Sequence, residues 1–378
     1  MGKMTNAFEK ISESYFYKKA ELPLHIKEVR DYHYHIVNSL FENKAHVVFS
    51  EIENLFIELT GFMIKNKSTD YNFVYDQIVS IAELISTKIV SHYLNDSGIE
   101  NTWLDVRECI KTNSDYRDAK VNWRLTEKEI VSKVNPDNLY ITQGFISQDE
   151  YKNTTTLGRE GSDYSAGIFA YCLNAESLTI WKDVQGVLNA DPRYFAATQL
   201  LENVSYTEAI ELAFYGASVI HPKTLQPLQK KEIPLFVKSF VDPKNKGTFI
   251  SKKHQLIPEV PCFIVKKNQL LLSISSLDFS FVVEHNISEM FNLFHQFKMK
   301  VNLIQNSAIS FSICLEDNNS LIQELLKELS KKFEVVLYEN VSLYTIRHFN
   351  DDAISGVVKN NKVLLKQSTQ ETVQIVLQ

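Results

Sequence analysis

The chain has 378 residues, 44% of them hydrophobic and 23% charged, with 40 Lys and Arg against 46 Asp and Glu for a formal net charge of −6. That length supports two or three domains with sizeable cores. The acidic balance argues against a nucleic-acid partner or an anionic membrane surface, where a basic patch is expected. No apolar run approaches the ~20 residues of a spanning helix, and Met1-Gly2-Lys3-Met4-Thr5-Asn6 has no apolar signal core. Cys109, Cys172, Cys262 and Cys314 are scattered without metal-ligand or disulfide spacing. Together these features read as a cytoplasmic protein with reduced thiols and no metal centre of its own.

Residues 25–59 read as mostly helical, and the Tyr32-His33-Tyr34-His35 cluster within them reads as helix packing. Residues 76–94 form an amphipathic helix with Ile78, Val79, Ala82, Ile85, Ile89 and Val90 on one side. Leu139-Tyr140-Ile141 and Leu178-Thr179-Ile180-Trp181 read as buried strands that lead into polar loops, where an open α/β sheet places its ligands. Between them lies Thr154-Thr155-Thr156-Leu157-Gly158-Arg159-Glu160-Gly161-Ser162-Asp163-Tyr164, just ahead of a helix-forming run that starts at Ser165. Glycine allows close backbone approach, free N–H groups at a helix start favour an anion, and Arg159 adds a planar fork suited to carboxylate or phosphate. The chain has only 11 glycines, and Gly144, Gly158, Gly161, Gly167, Gly186 and Gly216 fall in this central stretch, so the unusual backbone is concentrated here. The competing role for Arg159 is a surface ion pair of little energetic weight, which so glycine- and hydroxyl-rich a loop disfavours.

Residues 251–261 are polar and proline-bracketed, and read as a linker. Beyond them comes a βαββαβ order. A strand at 270–275 is followed by a helix marked by Ile287, Met290, Phe291 and Phe294, then by strands at 300–304 and 309–315. A helix on Leu321, Leu325, Leu326 and Leu329 and a strand at 333–337 complete it. That order is ferredoxin-like. A shorter second unit follows, with a strand at 343–346, a short helix near Ala353, and strands at 363–365 and 373–377.

Three ordered segments carry a resemblance to the aspartokinases. Residues 154–163 resemble the family's TTLGRGGSD loop, with Glu160 at a glycine. Trp181-Lys182-Asp183-Val184-Gln185-Gly186-Val187-Leu188-Asn189-Ala190-Asp191-Pro192-Arg193 resembles its nucleotide loop. Residues 205–222, from Ser205-Tyr206-Thr207-Glu208 to His221-Pro222, resemble its SYxEAxELAxxGAxVxHP block. The resemblance implies an α/β fold: an amino-acid kinase sandwich of helices around a mainly parallel sheet, followed by α+β ferredoxin-like ACT units. It implies a kinase domain at 1–255, a first ACT domain at 261–340 and a shortened ACT-like unit at 341–378.

The implied activity is phosphoryl transfer from ATP with Mg²⁺ to the side-chain carboxylate of L-aspartate. This opens lysine, threonine and methionine biosynthesis, with lysine as feedback effector and a homodimer formed through the ACT domains. Carried over residue by residue, Thr5, Glu83, Arg159, Ser162 and Asp163 face the substrate. Arg159 meets the α-carboxylate, while Glu83 and Asp163 face the ammonium. Lys182, Asp183, Gly186, Leu188, Arg193, Ser218 and Val219 face the nucleotide, and Ser276, Asp278, Phe281, Asn302 and Ser307 face the effector. Relatives carry an aromatic at the Leu188 position, a lysine at the Ser218 position and a glycine at the Ser147 position. Lys182 and Lys223 are the cations left on the phosphate side.

The first residues, Met1 to Glu9, resemble the family's later SAMGKTTNALE segment, and the sequence contains no KFGGTS-like phosphate loop. The chain is therefore expected to begin after the family's first strand, loop, helix and most of its second strand, and to have little or no aspartate kinase activity as given. The competing readings are a noncatalytic regulatory subunit that binds an effector amino acid, or another amino-acid kinase such as a glutamate kinase.

Overall fold

The computed structural model describes residues 2–217, 220–253, 255–278, 280–317, 321–359 and 361–378. The chain divides into two compact units, Met1–Leu178 with Lys223–Pro234, and Thr179–Pro222 with Leu235–Gln378.

The first unit opens with helices α1 (Met4–Tyr17), α2 (Leu22–Leu40), α3 (Val47–Lys65) and α4 (Tyr71–Asp96). Each start has a local cause. Pro23 sits in the first turn of α2, His46 Nδ1 accepts from the Val48 N–H at 3.1 Å, and Asp70 caps α4 through the Asn72 N–H at 2.9 Å. α1 and α3 pack against α4, which also meets the short strands β1 (Thr102–Leu104), β2 (Tyr140–Thr142), β3 (Ile146–Gln148) and β4 (Thr154–Thr156). Between β1 and β2 lies α5 (Trp123–Lys133), and after β4 comes α6 (Gly161–Leu173). β1 and β2 pair in parallel, β3 and β4 antiparallel.

Since α4 is covered on opposite faces, its burial is wider than one amphipathic stripe. Ile81 and Leu84 are buried beside the expected Ile78, Val79, Ala82, Ile85 and Ile89. Val90, expected on the buried side, is instead 42% exposed although Ile89 and Ser91 beside it are buried, because it lies roughly 100° round the helix from Ile89, at the rim of the stripe. His33 is fully buried among Phe8, Tyr32 and Phe56, with Nδ1 2.7 Å from the Val29 carbonyl, and burial lowers its pKa.

The second unit begins with β5 (Leu178–Lys182), β6 (Asn203–Ser205) and α7 (Tyr206–Tyr215). The Ser205 hydroxyl caps α7 by accepting from the Glu208 N–H at 3.0 Å. α8 (Pro222–Lys231) returns to the first unit, and β7 (Leu235–Ser239) and β8 (Thr248–Ser251) then complete a four-stranded sheet ordered β5-β7-β8-β6. Residues 251–261 are not a free tether. Ile257 bonds to Glu202 and Asn203 through backbone, and the Asn189 amide donates to the Pro261 carbonyl at 3.0 Å.

The remaining elements are β9 (Cys262–Ser276), α9 (Glu284–Gln296), β10 (Val301–Asn306), β11 (Ser310–Glu316), α10 (Ile322–Leu329), β12 (Phe333–Arg347), α11 (Asp351–Val358), β13 (Val363–Ser368) and β14 (Thr372–Leu377). The expected βαββαβ order is present, and its strands run β10-β11-β9-β12, continued by β14-β13 in one six-stranded antiparallel sheet. β9 and β12 are 15 residues each and run through both ACT-like regions. Residues 262–266 pair with residues 343–347, and residues 269–276 pair with residues 333–341 across a bulge.

Arg347, at the end of β12, is 6% exposed and joins this sheet to α7. Its Nε and Nη2 donate to the two oxygens of Glu208 at 2.8 and 2.7 Å, and Nη1 donates to Thr372 Oγ1 at 2.8 Å. Glu371 lies 3.1 Å away, and His348 Nε2 is 3.1 Å from Glu208. Burial works to raise the Glu208 carboxyl, but the Arg347 bonds outweigh it and hold the group below the usual carboxylate range.

All four cysteines are free and buried, and burial pushes each thiol up to about 12. Among the described residues no helix is long and apolar enough to cross a membrane.

Candidate active site

The residues expected on the substrate side all belong to the first unit, and the structure shows how their loop is held. The three residues of β4 are buried. Thr155 Oγ1 lies 2.7 Å from Thr112 Oγ1 and 2.8 Å from Ser147 Oγ, so Ser147 puts a hydroxyl into this buried cluster. The Leu157 N–H donates to the Phe145 carbonyl at 2.9 Å. Gly158 follows at φ +80°, and a Cβ there would stand 2.9 Å from Asp118 Oδ1, so both backbone and space require glycine. Asp118 is ion-paired with Lys223 and with Lys120, which puts Lys223 on the substrate-loop side.

Arg159 is exposed, and its guanidinium has no hydrogen bond or ion pair among the described residues. Ser162 and Asp163 occupy the first turn of α6, Asp163 half-buried where the helix dipole favours a carboxylate. Glu160 holds the position before the helix at φ 54°, ψ 32°, the left-handed region that favours glycine. Its Oε2 is shielded from solvent without a hydrogen-bond partner. Glu160→Gly is therefore expected to stabilise the fold by about 1 kcal/mol, because it relieves the left-handed strain. Urea titration checks this, and a loss of stability would show that the Glu160 side chain makes a net favourable contact.

Glu83 projects from α4, half-buried, and its carboxylate has no donor or cation among the described residues. Burial pushes this carboxyl up. The helix turn beneath it is fixed by side chains. Trp103 Nε1 and Gln143 Nε2 both donate to Thr87 Oγ1, at 3.0 and 2.8 Å, and that hydroxyl donates to the Glu83 carbonyl at 3.0 Å. Thr5 is half-buried in the first turn of α1.

Sequence reasoning missed Asp76. It is fully buried, and its carboxylate accepts from the Thr156 N–H at 2.9 Å, Thr156 Oγ1 at 2.8 Å and the Arg117 N–H at 3.0 Å. Burial pushes it up to about 6, although those donors favour the charged form. The available signal was its place seven residues before Glu83 on the same helix face.

The nucleotide-side residues belong to the second unit. Lys182 ends β5, and the exposed Asp183 follows it. Gly186 has φ +151°, and a Cβ there would stand 2.6 Å from Thr248 Oγ1, which accepts from the Val187 N–H at 2.8 Å. Leu188 bridges to Leu200. The exposed Arg193 turns its guanidinium onto Asp191, with Nε 3.0 Å from each carboxylate oxygen. Ser218 and Val219 lie outside the described residues.

Four of the five effector candidates gather at one end of the C-terminal sheet. Ser276 Oγ donates to the Ser280 carbonyl at 2.6 Å, and hydrogen bonds from the Ser280 side chain and then from its N–H, 3.1 Å from Asp278 Oδ1, hold the Asp278 carboxyl below its usual range. Phe281 is 71% exposed, and the Val282 N–H donates to the Ala308 carbonyl beside Ser307. Asn302 is separate from them, five residues back along β10, or ~17 Å at the usual strand rise. Its amide joins Lys266 and Gln269, at 2.7 Å each.

The amino acid kinase family matches residues 24–239. Lysine-sensitive aspartokinase 3 of Escherichia coli (strain K12) is 32% identical over 315 residues, which cover 80% of this chain and 69% of that protein. Two crystal structures of E. coli aspartokinase III align over 100% of this chain. The T-state complex with lysine and aspartate has a TM-score of 0.81 at 28% identity, covering 87% of that chain. The R-state complex with aspartate and ADP has a TM-score of 0.82 at 27% identity, covering 88%.

Proposed function

Because this chain belongs to the amino acid kinase family and, within it, to the aspartokinases, we propose that it transfers the γ-phosphoryl group of ATP to the side-chain carboxylate of L-aspartate. The carrying observation is a pair of opposite charges in one unit with no hydrogen-bond or ion-pair partner among the described residues: the Arg159 guanidinium on the glycine loop and the half-buried Glu83 carboxylate on α4. L-Aspartate brings an α-carboxylate for the first and an α-ammonium for the second, leaving its side-chain carboxylate to react. In the transfer, a side-chain carboxylate oxygen bonds to Pγ while the bond from Pγ to the β-phosphate's bridging oxygen breaks, giving 4-phospho-L-aspartate and ADP. Two anions must meet, so positioning and cationic screening carry the rate.

We assign nucleotide contact to Lys182, Asp183, Gly186, Leu188, Arg193, Ser218 and Val219, and substrate contact to Thr5, Ser162 and Asp163 beside Glu83 and Arg159. Among the described residues no group of three or more His, Cys, Asp or Glu side chains could cage a metal ion. We assign the magnesium ion to the nucleotide's phosphates, with water completing its shell. Titration calorimetry tests the reading: L-aspartate is expected to bind, with L-glutamate about tenfold weaker or worse. Equal affinities would favour a different amino-acid kinase.

The domain reading stays residues 1–255 for catalysis, with ACT units at 261–340 and 341–378. The six-stranded sheet is assigned lysine sensing and homodimer contact, with the effector held near Ser276, Asp278, Phe281 and Ser307. Asn302 contributes from the other strand end or from a second copy. The four free thiols suit a reducing cytoplasm. Lysine added to the full chain is expected to release heat and raise its melting temperature, while threonine and methionine do neither. No heat and no shift with any of the three would retire the sensor assignment.

A further inference from the structure

We infer that Asp76 and Gln77 are positioning residues that fix where Arg159 stands relative to Glu83, an inference that rests on the aspartate-kinase reading of this loop. β4 is three residues long and pairs along one edge with β3. Its other edge is met by side chains of α4 and, at the Thr156 carbonyl, by the Ala119 N–H at 3.0 Å. Gln77 does what a neighbouring strand's backbone would do: Nε2 donates to the Thr154 carbonyl at 2.7 Å, and Oε1 accepts from the Thr154 N–H at 3.1 Å. Asp76 takes the other end of the strand, accepting from the N–H and Oγ1 of Thr156.

The substrate loop leaves directly from Thr156, so two adjacent side chains of one helix clasp both ends of the strand that launches it. The third Asp76 bond, from the Arg117 N–H, adds the turn whose Asp118 lies against Gly158. Seven residues on, two turns along the same face and ~10 Å at the helical rise, α4 presents Glu83. One rigid helix thus holds the carboxylate for the ammonium directly and the guanidinium for the α-carboxylate through the clasp. That spacing must match a substrate whose two charged groups share one carbon. The clasp atoms are engaged with the loop's own strand, so their effect on substrate passes through Arg159.

Variants of the full chain test this by calorimetry with L-aspartate and, separately, ADP. Asp76→Ala and Gln77→Ala are expected to raise the aspartate Kd about tenfold or more and leave the ADP Kd within about twofold, since small misplacements of a positioning group have effects of this order. Amide exchange at residues 154–160 should quicken in the same variants. Asp76→Asn is expected to restore aspartate binding to within about threefold. Its oxygen can still accept from both N–H groups, and its amide can donate to Thr156 Oγ1. Thr156→Val removes one clasp bond at constant shape and should give an intermediate loss. It decides the matter should Asp76→Ala not fold. An unchanged aspartate Kd in folded clasp variants, or equal losses for aspartate and ADP, overturns the inference and leaves the kinase reading standing. No aspartate binding by the unsubstituted chain overturns the kinase reading, and the inference with it.

Discussion

Arg159→Ala is expected to weaken L-aspartate binding by about 30- to 1000-fold, roughly 2–4 kcal/mol, and to leave nucleotide affinity within about twofold. The guanidinium is exposed and carries no partner among the described residues, so its removal leaves no protein carboxylate stranded and should not disturb the fold. What is lost is a planar, charge-assisted contact with the α-carboxylate. Arg159→Lys should recover only part of it, because an ammonium cannot make the parallel pair of bonds. Calorimetry with both ligands, alongside a thermal melt, separates the outcomes. Equal losses for both ligands with a lowered melt would mean a folding defect, and loss of nucleotide alone would move Arg159 to the ATP side.

Arg347→Ala is expected to destabilise the second unit by about 3–5 kcal/mol, because it strands the buried Glu208 carboxylate without its bidentate partner. The deficit should be larger at pH 7 than at pH 5. With Arg347 present, the Glu208 pKa is held below the usual range. Without it, burial raises the folded-state value above the unfolded one, so the charged form is penalised as pH rises and the penalty fades on acidification. Replacing both Arg347 and Glu208 by apolar residues of similar volume should cost far less than either change alone. Urea melts at the two pH values, run as a double-mutant cycle, check this. Additive losses would show that the pair is not coupled.

Much of the C-terminal fold was legible because its core alternates at period two in strands and at three and four in helices. The merging of its two ACT-like regions into one sheet was not. The polar Lys266-Lys267-Asn268 segment looks like a strand end, yet β9 continues through it, with Asn268 at φ 54° and a register shift opposite at Val341. The substrate loop was legible from composition, and Glu160 in the left-handed region accounts for the one departure from its glycine pattern. The contacts that hold the loop and those that tie the C-terminal sheet to α7 were hidden because they join distant positions. Asp76 reaches Thr156 across 80 residues and Arg347 reaches Glu208 across 139, and no local period records such pairs. Val90 was misplaced because periodicity does not fix how wide the buried stripe is: Ile89 and Ser91 beside it are buried and Val90 is not.

The central claim concerns which carboxylate receives the phosphoryl group, and acyl-phosphate trapping reads that directly. The full chain, in excess over substrate so that even slow chemistry registers, is mixed with Mg-ATP, L-aspartate and hydroxylamine, and the hydroxamate is identified by mass. The account predicts aspartate 4-hydroxamate with L-aspartate, its loss in Arg159→Ala, and none from L-glutamate. Glutamate hydroxamate at an equal yield, or no hydroxamate from aspartate by a chain shown to bind both aspartate and ATP, would contradict it.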